Sequence, residues 1–308
     1  MKVNKEHKVA IIILNWNNWQ DTIDCLNTVY KIDYPNFEVI VVDNGSTNNS
    51  VKEIKKKFNN ATILETGENL GFSAGVNLGI KYAINNHADF ILLLNNDAIV
   101  SKTAVTELVR RISRDERIGL IGGKILFLED KHKILYAGGR IKKITKRTFI
   151  FGEKRYDNGK YNAEREVDFL SACCLLIRKE VIEKVGWFDP DYFMYYEDTD
   201  FCVRAKQHSY KIIYWPQAVI WHKVGGASNK SFMDYYRMRN YLLFLKKRYS
   251  YPQMGIRLIG TYIFAERLLR IFGRKIIYRD RERILNRLSA LIKGFKAGLA
   301  ISLKCIII

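Results

Sequence analysis

Four continuous apolar runs, Val9 to Leu14, Phe37 to Val42, Ala61 to Leu64 and Phe90 to Leu94, punctuate the first third of the chain. Unbroken rather than alternating, they have the pattern of strands buried on both faces. Between them lie stretches of helical length and period: Trp19 to Tyr30, Ser50 to Phe58 and Ala74 to Asn85. Strands alternating with helices predict an α/β fold with a mostly parallel sheet flanked by helices. Such sheets bind ligands beyond the carboxyl ends of their strands, so the informative residues are those that follow each run.

Those residues are short and polar. Asn15-Trp16-Asn17-Asn18 follows the first run, Asp43-Asn44-Gly45-Ser46-Thr47 the second, Glu65 to Gly75 the third and Asn95-Asn96-Asp97 the fourth. Any one of these loops is also ordinary turn chemistry. Four in succession favour a shared ligand site. The glycines of Asn69 to Gly75 match neither a dinucleotide fingerprint nor a P-loop. Asp43 ends the second strand, where dinucleotide folds place a ribose-binding acid, but the first turn lacks the accompanying glycines. A nucleotide would be bound by another scheme.

In the second half, Gly119 to Leu128 reads as a strand, Lys133 to Phe151 as a mobile hairpin or loop near an acceptor, Asp168 to Arg178 as a buried strand, and Lys179 to Val185 as a helix closed by Gly186. The stretch from Trp187 to Arg204 then sets Asp191, Glu197, Asp198 and Asp200 among seven aromatic residues. Carboxylates held against aromatic walls lose hydration, which raises their pKa and suits a general base. The acids fall at the start of a short helix, where its dipole favours anions and where one of them could also serve as a cap. Asp198 and Asp200 are about 200° apart on such a helix, so Asp198 shares a face with Cys202, and Glu197 with Asp200 and Phe201. Geometry alone leaves the base unassigned. His222 ends the apolar run Ala218 to Trp221 and is a candidate metal ligand or a structural histidine.

From Phe232 onward the composition turns aromatic and basic, and Ile256 to Ile271 and Ile284 to Ala300 repeat apolar residues at helical spacing. The expected division is therefore a catalytic domain over 1–230 and a helical, basic amphipathic region over 231–308 that lies on a membrane interface. The competing use of that tail is packing on the catalytic domain or on a second copy of the chain, as in a homo-oligomer. Lys and Arg number 51 against 32 Asp and Glu, a net charge of +19, which calls for an anionic partner. No run reaches the roughly 20 apolar residues of a membrane span, and no apolar stretch follows the basic start. Five cysteines without a CxxC pair fit a reducing compartment. The expectation is a cytoplasmic protein, peripheral on an anionic membrane surface.

Taken in order, Ile11-Ile-Ile-Leu-Asn15-Trp-Asn, Val41-Val-Asp43-Asn-Gly45-Ser46-Thr47, Asn69-Leu-Gly71-Phe-Ser-Ala-Gly75, Leu94-Asn-Asn-Asp97 and Glu197-Asp-Thr-Asp-Phe201 resemble the inverting family 2 glycosyltransferases, most closely the rhamnosyltransferase-like branch. The resemblance covers roughly the first 225 residues. It implies a GT-A (Rossmann-like) fold, a nucleotide-sugar donor and a lipid-linked or glycan acceptor. It further implies that Asn15, Asp43, Asn69, Gly71, Asn96 and Asp97 bind the donor, and that Asp97 and His222 hold a divalent cation, Mn or Mg. Asp198 is the implied catalytic base, supported by Glu197 and Asp200. Leu94-Asn-Asn-Asp97 departs from the family's D-x-D pattern because Asn95 replaces the first acid, leaving less charge for the metal. Two other functions compete with this one. A nucleotidyltransferase needs a phosphate-activating loop, and Asn15 to Asn18 has no Lys, Arg or Gly. A nucleic-acid binder would use the positive charge, but the tail carries no RNP, KH or zinc motif, so no nucleic-acid partner is expected.

Overall fold

The computed structural model describes residues 7–223, 230–249, 251–273 and 281–304, and they divide into two compact units. The first unit comprises residues up to 141, 148–193 and 197–224. It begins β1 (Val9–Asn15), α1 (Trp19–Val29), β2 (Phe37–Asp43), α2 (Ser50–Lys57), β3 (Thr62–Glu65), α3 (Gly71–Asn85) and β4 (Phe90–Asn95). It continues with β5 (Ala98–Val100), α4 (Ala104–Ile112), β6 (Ile118–Phe127), β7 (Ile134–Tyr136), β8 (Gly139–Ile141), β9 (Thr148–Ile150) and β10 (Arg165–Glu166). It closes with β11 (Cys174–Arg178), α5 (Lys179–Val185), α6 (Glu197–Gln207) and β12 (Lys211–His222).

A ten-stranded sheet runs β10-β12-β6-β11-β4-β1-β2-β3, with β5 paired to β12 and β7 to β6. β3, β2, β1 and β4 are mutually parallel, as the strand and helix alternation predicts. β1 has a partner on each edge and helices over its faces, so Val9 to Ile13 are at most 1 % exposed. β11 runs antiparallel to both β4 and β6 and seams the two halves of the sheet. Its ladder starts at Cys174 rather than at Asp168. The Asp168 carboxylate accepts hydrogen bonds from Ile141 N at 2.9 Å and Lys206 Nζ at 2.8 Å, which draws the preceding residues off the ladder. Lys133 to Phe151 holds β7 and the antiparallel pair β8–β9. α3 begins at Gly71 rather than Ala74, because side-chain oxygens cap its first amides: Asn44 Oδ1 takes Leu70 N at 3.1 Å and Asn69 Oδ1 takes Gly71 N at 2.9 Å. Cys25, Cys173, Cys174 and Cys202 are buried free thiols.

The second unit comprises 142–147, 194–196 and 225–308. Its described helices are α7 (Lys230–Arg248), α8 (Gln253–Gly273) and α9 (Arg281–Lys304). It has its own core: Met238, Tyr241, Leu242 and Leu245 of α7 meet Ile256, Ile263 and Ile271 of α8 and Leu291 of α9. The boundary expected at 230 therefore takes a different form. The helical part also recruits Lys142–Arg147 and Met194–Tyr196, through bonds such as those from Asn240 Nδ2 to the carbonyls of Met194 and Tyr195 at 2.8 and 2.9 Å. No described helix is long and apolar enough to cross a membrane.

Candidate active site

The parallel strands bring their polar ends to one edge. Asn15 Nδ2 donates to Asp43 Oδ2 at 2.7 Å, and Ser46 N donates to the other oxygen at 2.9 Å. Each oxygen of this buried carboxylate keeps a lone pair for a further donor. Thr22 Oγ1 donates to Asn15 Oδ1 at 2.8 Å and accepts from Asn96 Nδ2 at 3.1 Å, so the first and fourth strand ends are tied by a side chain of α1. Asn44 Nδ2 donates to Asn69 Oδ1 at 3.0 Å and to Gly71 O at 3.1 Å, tying the second end to the third. Asn15, Asp43, Asn69, Gly71 and Asn96 thus belong to one network. Thr22 and Asn44 are its unpredicted members. Asn44 is 2 % exposed, and its neighbour Gly45, at φ +72°, would bring a Cβ within 2.3 Å of the Glu68 backbone. A polar residue beside a glycine at a strand end was the available signal.

The same loop touches the segment that leads to the acids. A Cβ at Gly71 would lie 2.5 Å from Phe193, Phe72 N donates to Phe193 O at 2.6 Å, and Ser73 Oγ donates to Tyr192 O at 2.6 Å. Asn77, one turn further along α3, exchanges two hydrogen bonds with the Phe188 backbone.

The acids themselves diverge. Asp200 is fully buried, accepting from Tyr192 OH at 3.1 Å and pairing with Arg204 Nε at 2.9 Å. Arg204 also donates to the carbonyls of Val185 and Trp187, which fastens α6 to the end of α5. Asp200→Asn should therefore cost about 3 kcal/mol, well above a lost cap, because Arg204 is left with a buried, unpaired charge. The midpoint of denaturant unfolding checks this; a loss under 1 kcal/mol, the size of a cap, would refute it. Glu197 is 6 % exposed and its Oε2 has no hydrogen-bond partner among the described residues. Burial pushes its carboxyl well above the ordinary carboxylate range, and the Asp198 charge adds to the rise. Asp198 is half-buried, so of the three it alone faces outward. Burial raises its pKa too, against hydrogen bonds from Thr199 N at 2.6 Å and Ala172 N at 3.3 Å. Ala172 adjoins Cys173, whose carbonyl accepts from Asn95 N at 3.1 Å. Asp198 is thereby anchored one strand end away from the Asn95–Asp97 turn.

That turn meets His222 through pairing of the sheet. β5 lies antiparallel to β12 with Ala98 opposite His222, and His222 Nε2 lies 3.0 Å from Asp97 Oδ1. Two ligands each about 2.1 Å from one ion at a right angle would be about 3 Å apart, so the pair fits a shared divalent cation. Among the described residues no third His, Cys, Asp or Glu completes a cluster. Asn95 Nδ2 lies 3.1 Å from the same His222 nitrogen, in place of a second acid. His222 Nδ1 is buried without a partner among the described residues, which supply no second bond of the kind that usually fixes a metal-binding imidazole. A cation held there would need further oxygens from a bound ligand. Asp97 also lines a pocket of about 290 Å³ with Asp21, Asp24, Glu129 and Lys223. Four carboxylates against one ammonium suit a cation, or a diphosphate carried in with one.

A doubly covered, mostly parallel sheet with nucleotide-sized polar loops at one edge and acids behind them is a GT-A-like glycosyltransferase architecture. The mannosyltransferase PcManGT of Pyrobaculum calidifontis, solved with GDP-Man and Mn²⁺, shares the fold at a TM-score of 0.61 and 14 % identity, covering 98 % of this chain and 88 % of that one. Residues 10–186 match the family model for Glycosyl transferase family 2, and the chain belongs to that family. The dTDP-rhamnosyl transferase RfbF of Shigella flexneri is 26 % identical over 94 % of this chain and 97 % of its own. The N-acetylglucosaminyl-diphospho-decaprenol L-rhamnosyltransferase of Mycobacterium tuberculosis is 27 % identical over 60 % of this chain and 66 % of its own. The low-salt glycan biosynthesis hexosyltransferase Agl10 of Haloferax volcanii is 27 % identical over 66 % of this chain, which spans 63 % of that relative's length.

Proposed function

We propose that this chain transfers a sugar, with inversion, from a nucleoside diphosphate to a hydroxyl of a lipid-linked or polysaccharide acceptor. The observation that carries this reading is the placement of Asp198: half-buried, raised in pKa, and anchored beside the Asn95–Asp97 turn. In its ionised form it takes the proton of the acceptor hydroxyl as that oxygen attacks the anomeric carbon from the face opposite the leaving diphosphate. Glu197 lies buried beside it, its own carboxyl raised by burial and by the Asp198 charge, and Asp200 fixes the helix. Asp43, Asn15, Asn69 and Gly71 hold the nucleoside, with Asn96 bracing the fourth strand end. Asp97 and His222 would hold a divalent cation, Mn or Mg, whose chemistry when bound is to neutralise charge on the diphosphate. The Shigella and mycobacterial relatives make dTDP-rhamnose the first donor and a diphosphate-linked lipid the first acceptor to try. A screen of nucleotide sugars for release of free nucleoside diphosphate, with and without Mn²⁺, tests the reading. Release from none of them would defeat it.

The same proposal places the enzyme on the cytoplasmic face of a membrane. Met254, Leu258, Tyr262 and Leu269 are each at least 60 % exposed and recur at helical spacing along one side of α8, with Arg257 and Arg270 also exposed. An apolar stripe flanked by cations suits an anionic lipid surface. Leu258→Asn with Leu269→Asn should lower cosedimentation with phosphatidylglycerol vesicles at least about tenfold and leave nucleotide binding unchanged, since two buried leucines are worth about 3 kcal/mol or more. Unaltered sedimentation would locate the membrane contact elsewhere.

A further inference from the structure

In the first unit, the β8–β9 ribbon turns an aromatic and cationic face to solvent. Arg140 stands directly opposite Phe149 in the register, so their side chains leave on one face, while Gly139, Ile141 and Ile150 take the other. That other face is the inner one: a Cβ at Gly139 would lie 2.2 Å from the Phe169 ring, and both isoleucines pack on the core. By ordinary alternation the outer face is polar. Here Phe149 is 53 % exposed on it, and Phe151, two residues on, meets Phe149 edge to face with ring centroids 5.8 Å apart. Two guanidiniums lie over the Phe151 ring, Arg165 of β10 at 4.8 Å and Arg140 at 5.8 Å from its centroid. Neither makes an ion pair with a carboxylate among the described residues. The acids near them in the chain are committed elsewhere: Glu164 to Arg111, and Asp168 to Lys206 and Ile141 N. Glu166, next to Arg165 on β10, points to the opposite side of that strand.

Stacking alone would make this a packing device, but that use leaves Phe149 half in water and both guanidinium forks without an anion. A fork binds a carboxylate through two parallel hydrogen bonds. The C–H face of a pyranose, apolar and weakly positive, covers the negative face of an aromatic ring. A sugar that bears a carboxylate offers both on one unit, which an acidic peptide does not. The ribbon also hangs on the segment that holds Asp198. Asp168 N donates to Gly139 O at 2.9 Å, Ile141 N donates to Asp168 Oδ2 at 2.9 Å, and Tyr136 OH donates to Phe169 O at 2.7 Å. Three residues beyond Phe169, Ala172 N donates to Asp198.

We propose that Arg140, Phe149 and Arg165 form a binding site for an acidic glycan, one whose sugar rings carry carboxylates. That this glycan is part of the acceptor rests on the transfer reading above; the binding does not. The test titrates the full chain with oligogalacturonate, neutral maltooligosaccharide, polyglutamate and phosphatidylglycerol vesicles. The parent should bind oligogalacturonate more tightly than either the neutral sugar or polyglutamate. Arg140→Gln should weaken that binding about tenfold, as loss of a charge-assisted bond does, and Phe149→Ala about fivefold, as loss of a ring contact does, with nucleoside diphosphate binding unchanged in both. Both residues are exposed, so the variants fold. Arg140→Lys, keeping the charge without the fork, should fall between. Oligogalacturonate affinity untouched in both variants would overturn the proposal. Equal losses toward polyglutamate would also overturn it, by making the face a general anion contact, and losses confined to vesicles would make it a bilayer contact. Variant-sensitive oligogalacturonate binding in a chain that transfers no sugar would uphold the site and defeat the transfer reading instead, whereas sugar transfer without any oligogalacturonate binding would do the reverse.

Discussion

Asp198→Asn should lower kcat by about 10²–10⁴-fold while donor affinity stays within a few fold of the parent, because the proposed function makes Asp198 a general base, with that usual contribution, and assigns the nucleoside to other loops. The substitution keeps the shape, so the bonds from Thr199 N and Ala172 N persist. In the parent the rate should rise with pH through the Asp198 pKa, placing the acid limb above the ordinary carboxylate range. The variant should lose that limb. The sign for stability is opposite. Carboxyls whose folded pKa is raised contribute fully below the unfolded value and lose that contribution as pH rises through the folded one. Glu197→Gln should therefore stabilise the protein near neutral pH and flatten the dependence in that window. Steady-state kinetics and thermal melts across pH separate these effects. An active Asp198→Asn beside an inactive but folded Asp200→Asn would mean that the base is the wrong carboxylate.

Asp97→Asn should abolish transfer together with metal-dependent nucleoside diphosphate binding, the second large effect expected. Asp97 supplies the only carboxylate within reach of His222 Nε2 among the described residues, and Asn95 supplies no charge. With two protein ligands and an unpartnered Nδ1, the cation should bind tightly only when a diphosphate is present. Calorimetric titration of Mn²⁺ with and without UDP or dTDP should show this in the parent. His222→Ala should weaken the same binding by about 10–100-fold, by analogy with the loss of other metal-site partners. Full activity of Asp97→Asn under chelator would remove the metal role from this residue.

Much of the fold was legible because local burial is written in local sequence. The runs at Val9, Phe37 and Phe90 became β1, β2 and β4 within a residue at each end, and Lys179 to Val185 ended at Gly186, whose φ of +90° favours glycine. Errors came where a distant polar group intervened. Asn44 lengthened α3 by capping it from another loop, and Lys206 and Ile141 drew Asp168 out of the ladder. The shared face of Asp198 and Cys202 followed from helical period, and both do face the Leu170–Ala172 segment.

By itself the sequence determined a mostly parallel sheet, the edge at which polar residues gather, and the acids at the start of a helix, since each depends on the periodicity of a few neighbouring residues. Only the tertiary structure decided which polar groups meet. Asp97 and His222, far apart in the chain, come to 3.0 Å because β5 and β12 pair in one register, and Asp200 is withdrawn from solvent because Arg204 and Tyr192 close on it. The short segments Lys142–Arg147 and Met194–Tyr196 join the helical unit for the same reason. Burial of a side chain is a property of its own run, whereas hydrogen bonds and ion pairs depend on partners that chain folding alone brings within about 3 Å.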